Sequence, residues 1–293
     1  MDQDSVISQE QGENWTAIRA DCVEALKMLP DNSIDYSIFS PPFSSLYTYS
    51  NSPRDMGNCR SDAEFFAHFD HLIVELMRVV RAGRLVSFHC MLLPTSKERD
   101  GYIGLKDFRG DLIRAFQKHG FIFQSEVVIW KDPVTAMQRT KALGLLHKSV
   151  RENATMCRQG IPDYLITMRR PGDVEFRVKH DANDYPVDHW QKVASPVWMD
   201  INPSDTLQYM SAREHDDERH ICPLQLDVIR RGIELWTNPG DVVLSPFMGI
   251  GSEGFVSLEM GRKFIGVELK ESYFKQASLN LASANKQVDL FAA

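Results

Sequence analysis

One stretch constrains the fold more than any other. Asp241-Val242-Val243-Leu244-Ser245 has the composition of a short buried strand, Pro246-Phe247-Met248-Gly249-Ile250-Gly251-Ser252 is a glycine turn that opens a helix, and Arg262-Lys263-Phe264-Ile265-Gly266-Val267-Glu268 is a second strand ending in an acid. A helix joining two buried strands returns the chain to the edge it left, so the strands run parallel and their sheet needs cover on both faces. The alternation recurs upstream. Strands are predicted at Trp15–Asp21, Ile34–Phe39, Arg84–His89, Phe121–Trp130 and Asp163–Arg170, and helices at Cys22–Leu29, Asp62–Val80, Asp107–Lys118 and Leu226–Leu235, with stops at Pro30-Asp31-Asn32, His119-Gly120 and Asn238-Pro239-Gly240. The expected class is α/β, a mostly parallel sheet with helices on both faces.

Composition narrows the function. No apolar run approaches the roughly 18 residues of a membrane span, and the opening residues lack the basic and apolar regions of a signal peptide, so a cytoplasmic location is expected. Cys22, Cys59, Cys90, Cys157 and Cys222 are scattered and form no Cys-x-x-Cys pair, so neither a zinc site nor a redox dithiol is expected. The net charge of −7 excludes a protein that coats nucleic acid through its whole surface. A nucleic-acid site must be local, and between 131 and 158 six basic residues face only Asp132 and Glu152.

Two motifs carry chemistry. Glycines at a strand-to-helix turn often serve only tight packing, but Glu268 at the tip of the next strand can accept hydrogen bonds from both hydroxyls of a ribose while Gly249 and Gly251 let backbone approach it. The turn holds no lysine, so a phosphate cradle is not indicated; a sulfonium nucleoside with an amino-acid tail fits better than a nucleotide. The second motif, Ser40-Pro41-Pro42-Phe43, ends a buried strand. Its prolines fix a rigid turn whose carbonyls act only as acceptors. An exocyclic base amine is a poor nucleophile because its lone pair is delocalised into the ring; the Ser40 side chain and Pro41 carbonyl can each take an amine hydrogen, while Phe43 stacks on the extruded base. Such chemistry needs no metal and no covalent intermediate.

Ser-Pro-Pro-Phe early, a basic middle, His220-x-x-Pro223 and a late Pro-Phe-x-Gly-x-Gly turn resemble, in identity and order, the beta class of amino-DNA methyltransferases over about 15–280. The resemblance implies a Rossmann-like S-adenosylmethionine-dependent methyltransferase fold with a small recognition insertion, and transfer of a methyl group to adenine N6 or cytosine N4 in a flipped-out DNA base. It makes Ser40, Pro41, Pro42 and Phe43 the catalytic motif, and Ser245, Phe247, Gly249, Gly251 and Glu268 cofactor contacts. It implies that Asp21 receives the cofactor's adenine amine and that His220 and Pro223 flank its methionine tail. The parts expected are then a flexible leader (1–14), a catalytic half (15–130), a target-recognition insertion (131–205, irregular after about 172), a cofactor half (206–285) and a tail (286–293).

The chain departs from the family at two places. Ser245 stands where the family has Asp, removing a carboxylate near the cofactor; Ser40 stands where many adenine enzymes have Asp and resembles cytosine-N4 enzymes more, leaving the base open. An RNA base methyltransferase and a catalytically weak DNA-binding relative are the alternatives. Arg139, Lys141, Lys148, Arg151 and Arg158 are the candidate phosphate contacts, whereas His89, Arg109 and Trp130 read as core or scaffold. Gln287-Val288-Asp289-Leu290-Phe291 resembles the pentapeptide by which bacterial enzymes dock on the replication sliding clamp. DNA is the expected partner, with nucleoid association and homodimerisation as further expectations.

Overall fold

Apolar runs bounded by turn residues become strands, and segments with apolar positions three and four apart become the helices covering them. The computed structural model describes residues 6–43, 56, 59, 61–134, 147–156, 159–181, 185–208 and 223–292, with only the backbone of 99, 148, 149, 156 and 285–292. In chain order the elements are β1 (Val6–Gln11), β2 (Trp15–Ala20), α1 (Cys22–Lys27), β3 (Ile34–Phe39), α2 (Asp62–Val79), β4 (Val80–Met91), β5 (Leu93–Pro94), α3 (Lys97–Asp100), β6 (Leu105–Lys106), α4 (Phe108–Lys118), β7 (Ile122–Ile129), α5 (His147–Asn153), β8 (Asp163–Arg169), α6 (Val187–Val193), β9 (Val197–Trp198), α7 (Leu226–Trp236), β10 (Val242–Ser245), α8 (Ser252–Glu259), β11 (Lys263–Glu268) and α9 (Glu271–Ala292).

The main sheet has the strand order β1-β2-β11-β10-β3-β4-β8-β7-β9. β2, β11, β10, β3 and β4 are parallel neighbours, β8 runs antiparallel between β4 and β7, β9 is parallel to β7, and β1 is antiparallel to β2. The chain leaves β3 through α2 towards β4 and leaves β10 through α8 towards β11, on opposite sides. Connections therefore diverge between β3 and β10, and divergence of this kind opens a crevice beyond the carboxyl ends of the strands.

Each face has its own core. Over one face, α1, α2 and α4 bury Phe65, Phe69, Phe88 and Phe116 against the sheet; α2 does so through one stripe, Phe65, Phe69, Leu72, Ile73, Leu76 and Val79, and its start is capped by Ser61, which accepts from the Glu64 N–H at 3.2 Å. Over the other face, α7, α8 and α9 cover Ile229, Ile233, Val256, Phe264 and Leu281. At the amino ends of the strands, buried Arg84 of β4 donates to the Asp35 carbonyl at 2.8 Å and pairs with Asp241, while the Asp35 carboxylate accepts from Val242 N–H at 2.9 Å. This knot ties β3, β4 and β10 together behind the crevice.

Two expectations are corrected. Val6–Gln11, expected to lie in a flexible leader, pairs with β2 from Val6↔Ala20 to Gln11↔Thr16. Its side chains are almost all exposed, so no apolar pattern marks it; the backbone groups along the outer edge of β2 supply the partner. Residues 131–205 are not one insertion either, because β8, buried at six of its seven positions, sits inside the sheet and divides them. The stretch after 172, expected to be irregular, contains α6 and the edge strand β9.

Candidate active site

The sheet lines up, along one edge, residues far apart in the chain. Asp21 follows β2, Glu268 ends β11, Ser245 ends β10, Ser40 follows β3 and His89 lies near the end of β4. Asp163 opens the antiparallel β8, and Lys131 lies two residues beyond β7 at the same edge. Ser245 and Ser40 thus stand on either side of the point where the connections diverge.

On one side of that point lies the glycine turn. Gly251 has φ 87°, and a Cβ built there would lie 3.3 Å from Ala277 of α9; Gly249 has φ 53°, and a Cβ there would meet no protein atom within 4 Å. Glycine at 251 therefore serves turn geometry and packing, and at 249 it leaves space open to a ligand. The turn is held by Gly249 N–H donating to Glu268 Oε2 at 3.0 Å, by Lys270 N–H donating to Glu268 Oε1 at 2.8 Å, and by Asn280 donating to the Ile250 carbonyl at 2.8 Å. Asp21 caps α1 through Oδ1, which accepts from Val23 and Glu24 N–H at 2.9 and 3.2 Å. Its Oδ2 accepts from no described residue. Ser245 is fully buried, and its Oγ has no partner among the described residues. Glu253, in the first turn of α8, is also buried, which pushes its carboxyl up to about 8, with the Glu268 charge adding to the rise. A glycine turn with the carboxylates of Asp21 and Glu268 at neighbouring strand ends has the donors and acceptors that suit a nucleoside with an amino-acid tail.

On the other side, Ser40 is half-buried and Pro41 is buried. Ser40 Oγ lies 3.2 Å from His89 Nδ1, His89 Nε2 lies 2.9 Å from Asp163 Oδ2, and Lys131 Nζ pairs with the same Asp163 oxygen. Asp163 is only 2% exposed. Burial by itself raises its carboxyl pKa, but its pairing with His89 and Lys131 outweighs burial and holds it below the ordinary range. Phe43 packs its ring 6.3 Å from that of Phe108, and Phe247 lies 5.7 Å from Phe39. Both expected aromatics of the site are therefore anchored from behind.

Of the residues singled out by sequence, Ser40, Pro41, Pro42, Phe43, Asp21, Ser245, Phe247, Gly249, Gly251 and Glu268 converge on this edge. Pro223 is half-buried just before α7. His220, Arg139, Lys141 and Arg158 lie outside the described residues; Lys148 contributes backbone to α5, where Arg151 is exposed. Gln287–Phe291 form the last turns of α9. Sequence reasoning sets His89 aside as scaffold and passes over Asp163, Lys131 and Glu253. The usable signal for the first two is a polar residue at the site end of an otherwise apolar strand.

Residues 34–279 match the profile of the DNA methylase family N6_N4_Mtase. The chain belongs to that family. The methylase is 25% identical over 277 residues to the DNA adenine methyltransferase YhdJ of Escherichia coli K12, covering 92% of this chain and 83% of that one. It is 25% identical over 258 residues to the type II methyltransferase M.BglII of Bacillus subtilis, covering 86% and 65%. Among solved structures it superposes on the PvuII DNA methyltransferase, described as cytosine-N4-specific, with TM-score 0.67 at 17% identity, over 96% of this chain and 93% of that one. A DNA modification methylase candidate of Thermus thermophilus, solved with S-adenosyl-L-methionine, gives TM-score 0.65 at 20% identity over 91% and 94%. The fold is that of the S-adenosylmethionine-dependent DNA methyltransferases.

Proposed function

We propose that the methylase modifies the exocyclic amine of a base held against Ser40, cytosine N4 being our reading of the base and adenine N6 its alternative. What supports the reading is that Ser40 and its paired prolines follow β3 at the divergence point, next to the strand that leads into the glycine turn. The Ser40 oxygen and the Pro41 carbonyl accept the two amine hydrogens, which localises the lone pair on nitrogen and aims it across the crevice. S-adenosyl-L-methionine supplies an electrophilic methyl group on a sulfonium. Glu268 takes the ribose hydroxyls, Asp21 Oδ2 the adenine amine, and Phe247, Gly249 and Gly251 shape the cofactor's site, with His220 and Pro223 flanking the amino-acid tail. Phe43 takes the face of the extruded base, offsetting part of the few kcal/mol that flipping costs. Arg139, Lys141, Lys148, Arg151 and Arg158 contact phosphates.

Cytosine is favoured by the hydroxyl at 40 and by the likeness to a methyltransferase described as cytosine-N4-specific; adenine is favoured by the E. coli relative's name. Sequencing DNA from a methylation-free host that expresses the methylase, by a method that reads modified bases in place, decides between them. N4-methylcytosine supports the first reading and N6-methyladenine selects the second. Unmodified DNA in cells that hold folded protein removes both. A separate proposal is that Gln287–Phe291 dock on the sliding clamp; a labelled peptide of this segment that shows no saturable binding to purified clamp rules it out.

A further inference from the structure

We infer that His89 and Asp163 are positioning residues which, through Ser40, draw the surplus proton from the amine as it is methylated. The inference rests on the methyltransferase reading and deepens it. A buried carboxylate can only accept, so His89 Nε2 donates to Asp163 Oδ2 at 2.9 Å. In a neutral ring Nδ1 is then the acceptor, and the hydrogen on Ser40 Oγ, 3.2 Å away, points at it. That orientation turns the serine lone pairs outward to the crevice, where an amine hydrogen can be accepted. The order Ser, His, Asp is one that recurs wherever a hydroxyl must hand on a proton.

In the transfer, the amine lone pair forms the N–C bond while the S–C bond of the donor breaks, its electron pair staying on sulfur. As that bond forms, one of the two hydrogens on nitrogen becomes surplus. That proton moves to Ser40 Oγ as the serine's own hydrogen passes to His89 Nδ1, leaving an imidazolium against the Asp163 carboxylate. The proton is lost to solvent afterwards, and the relay resets.

Lys131 gives the arrangement a second property. It shares Asp163 Oδ2 with His89, so the carboxylate is already compensated when the imidazole is neutral. Among the described residues, His89 is faced by Ser40 after β3 and Asp163 of β8, with Lys131 after β7 reaching it through the shared Asp163 oxygen. Arg109 of α4 and its partner Glu126 sit by Tyr164, and Tyr164 alternates to the other face of the sheet from Asp163.

The direct test is 15N NMR of the folded wild-type imidazole in its neutral form. Relay geometry puts the ring proton on Nε2; a proton on Nδ1 overturns the inference, whatever the activity of the protein. The kinetic test is single-turnover methyl transfer at saturating cofactor and DNA. His89→Ala is expected to slow it ~100-fold, the size of a lost proton acceptor, with cofactor and DNA Kd within twofold. Its rate should climb with pH where the wild type is flat, and free imidazole should restore part of it. Ser40→Ala and Ser40→Ala/His89→Ala should be equally slow. An unchanged rate in His89→Ala, or losses that multiply in the double variant, overturns the inference. Should His89→Ala fail to fold, the tautomer measurement on the wild type decides. Wild-type protein that transfers no methyl group counts against the functional reading alone.

Discussion

Replacing Glu253 by glutamine removes a charge that the fold resists. The residue is 4% exposed in the first turn of α8. Burial, with a further push from Glu268, raises it from the ordinary 4.5 to about 8. Below 4.5 it is protonated in both folded and unfolded chains and has no effect on their balance. Between 4.5 and about 8 the unfolded chain gives up the proton and the folded chain keeps it, so stability falls as pH rises and levels off above the folded value. At 1.36 kcal/mol per pH unit the window is worth about 5 kcal/mol. Glutamine keeps the shape and does not titrate. Guanidinium unfolding of both proteins at pH 5 and pH 8 isolates the effect, because every other titrating group is common to the two. The stability of Glu253→Gln relative to wild type is expected to improve by about 4 kcal/mol between those pH values. A difference that stays constant refutes the assignment of a buried, protonated carboxyl.

Three further outcomes are expected. Ser40→Ala should lower turnover at least ~100-fold and leave DNA affinity within about twofold, measured by single-turnover transfer and fluorescence anisotropy; equal loss of cofactor and DNA binding means misfolding instead. Gly251→Arg should abolish cofactor binding in calorimetry, since φ 87° suits glycine and the new side chain starts 3.3 Å from Ala277. Arg84→Ala should cost about 3–5 kcal/mol in urea unfolding, because it leaves Asp241 without its buried partner and frees the Asp35 carbonyl; a loss under about 1 kcal/mol would show that the knot behind the crevice is not structural.

The parts of this protein that were legible in its sequence are those whose signal is local. Ile34–Phe39 is buried at every position, so it reads as a strand from its apolar run alone, and the glycine turn with Glu268 announces its geometry through residue types only that geometry needs. β1 was hidden because its exposed side chains carry no pattern and its pairing uses backbone. The place of β8 between β4 and β7 was hidden for another reason, since strand order is a property of the whole sheet. The array at Ser40 falls in the same class. Its members lie after β3, in β4, in β8 and after β7, with Ser40 and His89 49 positions apart and His89 and Asp163 74 apart, so no window of sequence contains it. Glu253 follows a serine at a helix start and looks like a solvent-facing acid; its burial belongs to the folded molecule and leaves no local pattern.

The central claim is that this chain transfers a methyl group from S-adenosyl-L-methionine to a base amine in DNA. Its most direct test is incubation of purified protein with cofactor and unmodified DNA, with unmodified RNA in parallel, followed by nucleoside digestion and mass spectrometry. The account requires N4-methylcytosine or N6-methyladenine to accumulate in the DNA digest and to be lost in Ser40→Ala. Folded, cofactor-binding protein that leaves DNA unmodified, or methylates only the RNA, contradicts it.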